Sequence, residues 1–280
     1  YKRGVGNVEY LLAYGSFRYG FELHHLLRNA RFVGKGYADG FDMYDLGGYP
    51  GAMRGEGTIV GDVYEVDEAT LKLLDEVEGY HGREDDSFVR IKTRVYFDER
   101  RRFYYDSVNV YVLNADPSSI FVRRKIESGD FSAYAGVPSL LNYFAYAENT
   151  NSLVLEQRGV RRLLKKVKAV LTGYELVFNV PCPWGACANL KENPKGKVCG
   201  YLYVITDDEL KKLDRAENYM IRYMKEVVKV TDTAGKEYFA YVYVSPNVDY
   251  NLSPTADYLN LIKDGLYEEW KGECISSGLK

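Results

Sequence analysis

A twenty-residue segment occurs twice in this chain without a gap, and an internal repeat constrains the architecture before any other pattern does. The first copy runs from Gly61 to Tyr80, and the second runs from Gly200 to Tyr219. Each copy has a stretch rich in β-branched and aromatic residues, typical of a strand, followed by leucines spaced at i and i+3, typical of a short helix. The chain is therefore predicted to contain two related domains.

The predicted elements have the same order in both halves. A short apolar strand opens each half, at 8–14 and 141–146, and β-rich stretches follow each repeat, at 88–97, 108–113, 227–230 and 238–244. Many short strands and few helices, without a regular alternation of the two, argue against a doubly wound sheet. We predict an α+β fold in which a small mixed β-barrel with short flanking helices is built twice. The predicted domains are 1–137 and 138–280, with the boundary in the Gly- and Pro-containing stretch 129–139.

The composition is that of a soluble globular protein, with 46% apolar and 28% charged residues in a chain of 280. A net charge of -3 gives no general attraction to nucleic acids or anionic membranes. No apolar run has the length of a spanning helix, and residues 1–4 do not resemble a signal peptide. We therefore expect a cytoplasmic protein with neither a nucleic-acid nor a membrane partner, and the sequence leaves its oligomeric state open. Gln157 is the only glutamine, a weak indication of a hyperthermophilic source.

The cysteines do not form a known metal or redox motif. Four residues separate Cys182 from Cys187, which fits neither a zinc knuckle nor a C-x-x-C pair. Buried free thiols are the favoured interpretation of all four cysteines, Cys182, Cys187, Cys199 and Cys274. A structural disulfide is the alternative, because hyperthermophile cytosols tolerate disulfides. The histidines have no matching acidic cluster, so no metal site is predicted.

The repeated helix ends in the pattern Leu-Asp-x-x-Glu, which contains the candidate catalytic group. Glu76 of the first copy becomes Arg215 in the second, as a solvated position allows, whereas Glu78 recurs as Glu217. A carboxylate at a helix end is usually a solvated surface charge, but its recurrence favours a function. Asp75 also recurs, and a structural role as a cap or turn residue is sufficient to explain it.

Two glycine-containing segments of the first half could approach a ligand with their backbone. The turn Tyr14-Gly15-Ser16-Phe17-Arg18 follows the opening strand, and a glycine there lets successive amide N–H groups face an anion. The loop 47–52 would allow close approach of a ligand to the chain. An ordinary turn and a plain surface loop are the alternatives for the two segments taken singly.

In this order, the pieces resemble the γ-glutamylcyclotransferase-like superfamily over nearly the whole chain. The first half is similar to the small bacterial and plant members at 14–18, 49–51, 61–66, 74–80 and 126–131. The second half is more similar to the animal-type enzyme at 143–146, 185–190, 213–217, and at Ser253-Pro254 followed by Tyr258. Each motif is short, and the order and duplication make the set specific.

The resemblance implies roles for individual residues. Glu78 and Glu217 take the position of the catalytic glutamate. The implied substrate-binding residues are Tyr14, Gly15, Ser16, Phe17, Arg18, Tyr49, Pro50, Gly51 and Phe88 in the first half, and Tyr146, Ala147, Glu148, Asn149, Ala188, Asn189 and Tyr223 in the second.

The second half departs from the family pattern at its turn. Ala147 replaces the glycine, which is expected to strain the turn if this position needs a positive φ. Glu148 adds a negative charge where a substrate carboxylate would bind. In the first half the aromatic residue after the glutamate is Phe88, which lacks the hydroxyl that Tyr223 supplies in the second. The first site is predicted to be the more active one.

The implied reaction is cyclisation of a γ-glutamyl amine or γ-glutamyl amino acid to 5-oxoproline, with release of the amine. The small-molecule substrate supplies both reacting groups, a glutamate serves as general acid and base, and neither a metal nor an organic cofactor is expected. One alternative is a tandem module that binds a γ-glutamyl or amino-acid-like ligand without turnover. Nucleic-acid binding through the basic segment 161–168 is a second alternative, and a solvated basic face explains that segment more simply.

Overall fold

The computed structural model describes residues 8–115 and 124–279, so the first residues of the chain, 1–4 among them, lie outside the described part. The described residues divide into two compact units, with the division between Leu140 and Leu141. Helix α2, Phe131–Ala135, lies within the stretch that was predicted as the domain boundary. None of the helices in the described part is long and apolar enough to cross a membrane.

The first unit is a closed five-stranded barrel with short helices outside it. Its strands are β1 (Glu9–Ala13), β2 (Arg31–Asp45), β3 (Pro50–Val66), β4 (Phe88–Tyr96) and β5 (Tyr104–Leu113), with the two-residue strand β6 (Arg124–Lys125) beside β2. Their order is β3-β1-β5-β4-β2, and the long β2–β3 hairpin closes the ring. Strands β1 and β5 are parallel, and the other pairs are antiparallel. A 3-10 helix (Glu22–Leu27) follows β1, and α1 (Glu68–Glu78) follows β3.

The second unit repeats this plan. Its strands are β7 (Leu140–Ala145), β8 (Lys165–Cys182), β9 (Gly185–Thr206), β10 (Met224–Asp232) and β11 (Glu237–Val244), closed in the order β10-β11-β7-β9-β8. Its helices are a 3-10 turn (Glu148–Thr150), α3 (Ser152–Gln157), α4 (Asp207–Ala216) and α5 (Ala256–Trp270). The predicted α+β tandem of small mixed barrels is confirmed.

The first glycine of each repeat has the same structural reason in both units. A Cβ atom on Gly61 would lie 2.4 Å from the Ala13 carbonyl oxygen, and one on Gly200 would lie 2.1 Å from the Ala145 carbonyl oxygen. No side chain tolerates such a contact with backbone. Glycine therefore lets the long central strand pass directly against the end of the opening strand in each barrel.

The helix after each central strand ends in the same way. The residue after the glutamate is left-handed in both units, with φ 68° at Gly79 and φ 49° at Asn218. The amide of Tyr80 donates to the Asp75 carbonyl at 2.8 Å, and that of Tyr219 donates to the Asp214 carbonyl at 2.9 Å. This shared C-terminal turn sets the repeated glutamate at the same point of each barrel.

The helix starts differ in one detail. The Asp67 side chain accepts a hydrogen bond from the Thr70 amide at 2.7 Å, as expected of an N-cap. Thr206 holds the N-cap position of α4, but its side chain makes no capping hydrogen bond. Three acidic residues in the first turn of α4 favour the helix start by their interaction with its dipole.

The prediction of free thiols was wrong. All four cysteines are paired, as Cys182–Cys187 and Cys199–Cys274. The first disulfide closes the β8–β9 hairpin, whose strands pair Cys182 with Gly185. The second joins β9 to the segment after α5, 75 residues later in the chain. The sequence did not reveal the pairing because strand register and the return of the C-terminal segment bring these residues together.

Two other segments singled out in the sequence have defined structures. Residues 165–168 of the basic segment 161–168 belong to β8, which begins at Lys165. Two lysines of that strand are paired, Lys166 with Glu268 and Glu269, and Lys168 with Glu273. The predicted loop 47–52 is shorter than expected, since Pro50 already belongs to β3.

Candidate active site

A cavity of about 500 Å³ lies at the end of the first barrel where β1, β3 and α1 meet. Its walls are formed by Leu12, Ala13, Tyr14, Gly15, Ser16, Phe17, Glu22, Leu23, Gly47, Gly48, Tyr49, Pro50, Val77, Glu78, Phe88 and Tyr111. The structure thus brings the predicted turn, the tip of the β2–β3 hairpin and the repeated glutamate to one cavity. Its volume is within the range of small-molecule sites.

The turn after β1 lines this cavity and has unused backbone donors. Arg18 donates its amide to the Gly15 carbonyl at 2.9 Å and so closes the turn. Within the described residues, the amides of Gly15, Ser16 and Phe17 have no hydrogen-bond acceptor. Three successive free amides form a concave site for a carboxylate or an oxyanion.

Tyr14 fixes this turn to the barrel. Its hydroxyl donates to the Tyr111 carbonyl at 2.7 Å and accepts a hydrogen bond from the Ala52 amide at 3.2 Å. The bond to Tyr111 reaches β5, and the bond to Ala52 reaches β3. A Cβ atom on Gly15 would lie 2.8 Å from Pro50 Cγ, so the glycine is needed for close approach of the hairpin. Gly15 does not have a positive φ.

Glu78 is the ionisable group at the end of α1 that faces the cavity. No residue in the described ranges donates a hydrogen bond to its carboxylate. Burial raises the pKa of Glu78 to about 7. A carboxyl group with this pKa accepts and returns a proton near neutral pH, which is the property of a general acid–base catalyst.

Asp75 holds the helix that carries Glu78. Its carboxylate accepts hydrogen bonds from the Tyr111 hydroxyl at 2.7 Å and from Arg90 Nε at 2.8 Å. Asp214 is held in the second unit by the Tyr243 hydroxyl at 2.7 Å and Lys225 at 2.8 Å. The recurring aspartate therefore anchors the helix to the barrel in both units, through bonds more extensive than the cap or turn role expected for it.

Two predicted residues of the first half lie away from the cavity wall. The Arg18 side chain is fully buried and forms ion pairs with Asp130 at 2.6 Å and Asp62 at 3.3 Å. Gly51 packs beside Leu46 rather than lining the cavity. Their positions favour structural roles. Phe88, Tyr49 and Pro50 line the cavity as the resemblance implied.

The corresponding cavity of the second unit measures only about 20 Å³. It is lined by Tyr143, Tyr146, Ala147, Glu148, Asn149, Ala188, Glu217, Tyr223 and Tyr243. All the predicted residues of the second half contribute to it except Asn189, whose buried side chain bonds to the Ser245 backbone and to Asn179. The hydroxyl of Tyr223 donates to the Ala188 carbonyl at 2.7 Å.

Arg158, just after α3, fills the space beside Glu217. Its guanidinium donates to Glu217 Oε1, to Glu148 Oε1 at 2.9 Å and to Asn149 Oδ1 at 2.7 Å. Burial and the neighbouring Glu148 raise the pKa of Glu217, and Arg158 opposes that rise. In this arrangement Glu217 is ion-paired, whereas Glu78 is free. Tyr258 completes the site by donating its hydroxyl to Glu148 Oε2 at 2.6 Å.

The expectation that Ala147 strains the turn is wrong. Its φ is -124° and its ψ is -137°, so no left-handed backbone is required. The turn has the same closing bond as in the first unit, from the Thr150 amide to the Ala147 carbonyl at 2.9 Å. The charge of Glu148 and the presence of Arg158 distinguish the second site instead.

The sequence interpretation missed Arg158, Tyr111 and Tyr243. The two tyrosines occupy matching places in β5 and β11, so an alignment of the two halves beyond the twenty-residue repeat would have indicated them. Arg158 has no counterpart among the residues lining the first cavity, and a single arginine after a short helix resembles any solvated charge. Residues 8–115 and 124–279 contain no group of three or more His, Cys, Asp or Glu residues suited to a metal ion.

Comparison with known proteins agrees with this duplicated geometry. The family model for "Gamma-glutamyl cyclotransferase, AIG2-like" proteins matches the chain twice, at residues 11–133 and 143–269. MJ1514 of Methanocaldococcus jannaschii is 34% identical over 139 residues, which cover 46% of this chain and 100% of that protein. YkqA of Bacillus subtilis is 27% identical over 220 residues, which cover 74% of this chain and 73% of YkqA.

Other relatives match a shorter segment. The Gamma-glutamylcyclotransferase family protein YtfP of Escherichia coli is 43% identical over 65 residues, so the alignment covers 23% of this chain and 58% of YtfP. The crystal structure of YkqA aligns with 97% of this chain and 100% of its own at 21% identity and a TM-score of 0.43. With both halves matched by the family model, the chain belongs to the gamma-glutamyl cyclotransferase, AIG2-like family and consists of two tandem domains of that family.

Proposed function

We propose that the first unit cyclises a γ-glutamyl amine or γ-glutamyl amino acid to 5-oxoproline and releases the amine. The observation that carries this proposal is the Glu78 carboxylate, which shares a cavity with the free amides of Gly15, Ser16 and Phe17. Membership in the gamma-glutamyl cyclotransferase, AIG2-like family supports the same reaction class, and the relative YtfP is named a Gamma-glutamylcyclotransferase family protein.

The reaction requires one proton acceptor that later becomes a proton donor. The α-ammonium of the substrate gives a proton to Glu78, and the free amine attacks the γ-carbonyl carbon to close a five-membered ring. The carbonyl oxygen becomes an oxyanion in the tetrahedral intermediate. Glu78 returns the proton to the leaving nitrogen, and the carbon–nitrogen bond breaks. The ring nitrogen gives its second proton to Glu78, which passes it to the released amine, and 5-oxoproline and the protonated amine leave the site.

The turn supplies the electrostatic part of this mechanism. Free amides of Gly15, Ser16 and Phe17 can hold either the α-carboxylate of the substrate or the developing oxyanion, and both are anionic acceptors. Their positions are fixed before substrate binds because Tyr14 ties the turn to two strands. Folding the substrate so that its amine meets its own carbonyl supplies several kcal/mol of the rate enhancement.

The direct test is turnover by the full chain on a panel of γ-glutamyl amines and γ-glutamyl amino acids. We expect equal amounts of 5-oxoproline and free amine, both measured by mass spectrometry. The α-glutamyl isomers are the matched controls, because their amine lies on the other carboxyl group and is not released by ring closure. If none of the γ-glutamyl compounds releases its amine, the proposed activity is wrong.

The pH dependence follows from the environment of Glu78. Because burial raises the pKa of Glu78 to about 7, the base is mostly protonated at low pH. We expect kcat/KM to rise about tenfold per pH unit up to roughly pH 6 and to level off above about pH 7. A decline at higher pH would belong to the substrate's own ammonium group. A rise centred near the ordinary pKa of a glutamate would contradict a buried base.

The second unit is proposed to bind a ligand without efficient turnover in its present arrangement. Arg158 neutralises Glu217, and the remaining cavity is too small for a γ-glutamyl compound. A base held in an ion pair is less available to take a proton from a substrate. This difference supports the ranking of the first site above the second.

A further inference from the structure

The second site places two carboxyl groups against one arginine. Glu148 and Glu217 both pair with Arg158, and both carboxylates lie at the small cavity. Glu217 is 7% exposed, and its Oε2 atom receives no hydrogen bond from any residue in the described ranges. Because Glu217 lines the cavity, an acceptor oxygen without a donor there is suited to a donor from outside the chain.

Glu148 keeps its place independently of Arg158. Tyr258 accepts a hydrogen bond from the Ala188 amide at 3.1 Å, so its own proton is available to Glu148 Oε2. The ring of Trp184 stacks on Tyr258, and the Cys182–Cys187 disulfide closes the hairpin that carries Trp184. Movement of Arg158 would therefore leave a fixed acidic site rather than a collapsed one.

Arg158 is placed to move. It follows the short helix α3, precedes Gly159 with φ 81°, and its side chain remains partly exposed. If it turns outward, the cavity gains the volume of a guanidinium group and Glu217 loses its cation. An ammonium group can replace that cation, and the displaced guanidinium can then bind a carboxylate in bidentate geometry.

We propose that the second unit binds an α-amino-acid head group by insertion into the Arg158–Glu217 ion pair. The ligand's ammonium lies between Glu217 and Glu148, and its α-carboxylate binds Arg158. The exchange conserves charge, because the ligand brings one positive and one negative group. The amino-acid head group is that of the γ-glutamyl compounds in the proposed function, and the inference rests on that function for this choice. Arg158 is then the residue that makes this site require both charges of the ligand.

The inference predicts which small molecules bind. L-glutamine carries the ammonium, the carboxylate and a neutral γ-amide. 4-Aminobutanamide lacks only the carboxylate, and glutaramic acid lacks only the ammonium. We expect L-glutamine to bind the second site at least tenfold more tightly than 4-aminobutanamide, and glutaramic acid to give no response.

The measurement uses the full chain with Glu78→Gln, so that the first site does not consume the probe. Side-chain carboxyl carbons of glutamate are labelled with ¹³C, and the Glu217 signal is assigned by its loss in Glu217→Gln. This signal reports on the second site alone. Its shift during titration gives the affinity of each probe.

Arg158→Met provides the decisive variant. Removing the guanidinium also opens the cavity, so the absolute affinity can move in either direction, but the preference for L-glutamine over 4-aminobutanamide should fall to about onefold. Arg158→Lys keeps the positive charge but cannot bind a carboxylate in bidentate geometry, so it should retain part of the preference for L-glutamine. Arg162→Met removes an exposed arginine outside the site and should keep the full preference.

Two results would overturn the inference. A preference for L-glutamine that survives Arg158→Met would mean that Arg158 does not bind the carboxylate. No response of Glu217 to any probe in the otherwise unchanged chain would mean that the ion pair is purely structural. Formation of 5-oxoproline is measured separately: turnover without a Glu217 response refutes only this inference, and a selective response without turnover supports it while the proposed function fails.

Discussion

Replacing Glu78 by glutamine in the full chain is expected to lower the rate of 5-oxoproline formation by about 10²- to 10⁴-fold. Glutamine keeps the size and hydrogen-bonding reach of the side chain but cannot take the ammonium proton. Since no described residue bonds to the Glu78 carboxylate, the change breaks no contact and the fold should be retained. Initial rates on a γ-glutamyl amine, with circular dichroism as the check on folding, measure the effect.

The chain offers a matched control two residues earlier. Glu76 is on the same helix and is exposed, so Glu76→Gln removes an identical charge outside the cavity. We expect its rate to stay within about twofold of the unchanged chain, since solvated charges contribute little. Equal losses from both substitutions would indicate a general charge effect on α1 rather than proton transfer.

A second substitution separates the two sites. Adding Glu217→Gln to Glu78→Gln should lower the rate of 5-oxoproline formation only slightly further, because Glu217 is already held in an ion pair with Arg158. If Glu78→Gln leaves the rate unchanged and the double variant abolishes it, the active site is in the second unit. If both variants keep full activity, neither glutamate is the base.

The repeat predicted much of this architecture because its signals are local. A glycine where two strands touch, a capped helix and a left-handed residue after the glutamate all lie within twenty consecutive positions. The same local pattern predicted that Glu78 and Glu217 occupy equivalent places. Departures inside the turn were also visible, since Ala147 and Glu148 stand where the first half has Gly15 and Ser16.

The electrostatics of the two sites depended on distant residues. Arg158 is bonded to Glu217, which is 59 residues away in the sequence. Tyr258 is bonded to Glu148, which is 110 residues away in the sequence. No periodicity or spacing in the sequence predicts which of many charged residues turns inward. The disulfides could not be predicted from the sequence for the same reason, because the closure of the barrel determines which cysteines lie close together.

Arg18 illustrates this limit most clearly. The turn motif suggested contact with substrate, yet its guanidinium is directed into the barrel wall. It pairs with Asp130 and Asp62, and it donates to the Ser139 hydroxyl at 3.2 Å. The Asp62 side chain is also fully buried. One buried cation therefore pairs with two carboxylates from distant parts of the first unit, and Lys35 adds a second positive charge beside Asp130.

We expect Arg18→Met to destabilise the first unit by about 3–5 kcal/mol, because removing one partner of a buried ion pair leaves uncompensated charge. Methionine retains apolar bulk but supplies neither charge nor donor. Arg28→Met is the matched control, since Arg28 is exposed, and it should change the free energy of unfolding by less than about 0.5 kcal/mol. Hydrogen exchange of β1 and β3, followed by mass spectrometry, measures the loss.

The second unit provides an internal reference in the same sample. Both tryptophans, Trp184 and Trp270, belong to it, so tryptophan emission during denaturation follows that unit alone. Its transition should stay in place in Arg18→Met while the exchange of β1 accelerates. If the tryptophan transition of the second unit shifts together with the exchange of β1, the variant chain is unstable in general, and the loss of the buried cation is not the specific cause.

The pH dependence of the Arg18→Met loss has a defined sign. Arg18 and Lys35 outweigh the burial of Asp130 and lower its pKa, so this carboxylate stabilises the unchanged chain above its ordinary pKa. Burial already raises the pKa of Asp62 in the unchanged chain, and Arg18 opposes that rise. Without Arg18, burial dominates at Asp130 as well, and both carboxylates should bind protons more tightly in the folded state. The variant should then lose stability as pH rises from about 4 to about 7, and its deficit should be smallest near pH 4.

Activity separates this structural role from substrate binding. If Arg18 acts only inside the barrel wall, Arg18→Met kept folded at low temperature should retain its KM, because the side chain does not line the cavity. If it holds the substrate, KM should rise while the exchange of β1 stays unchanged. A large loss of stability with an unaltered KM would therefore assign Arg18 to the folding of the first barrel, and would leave binding to the backbone amides of the turn that it anchors.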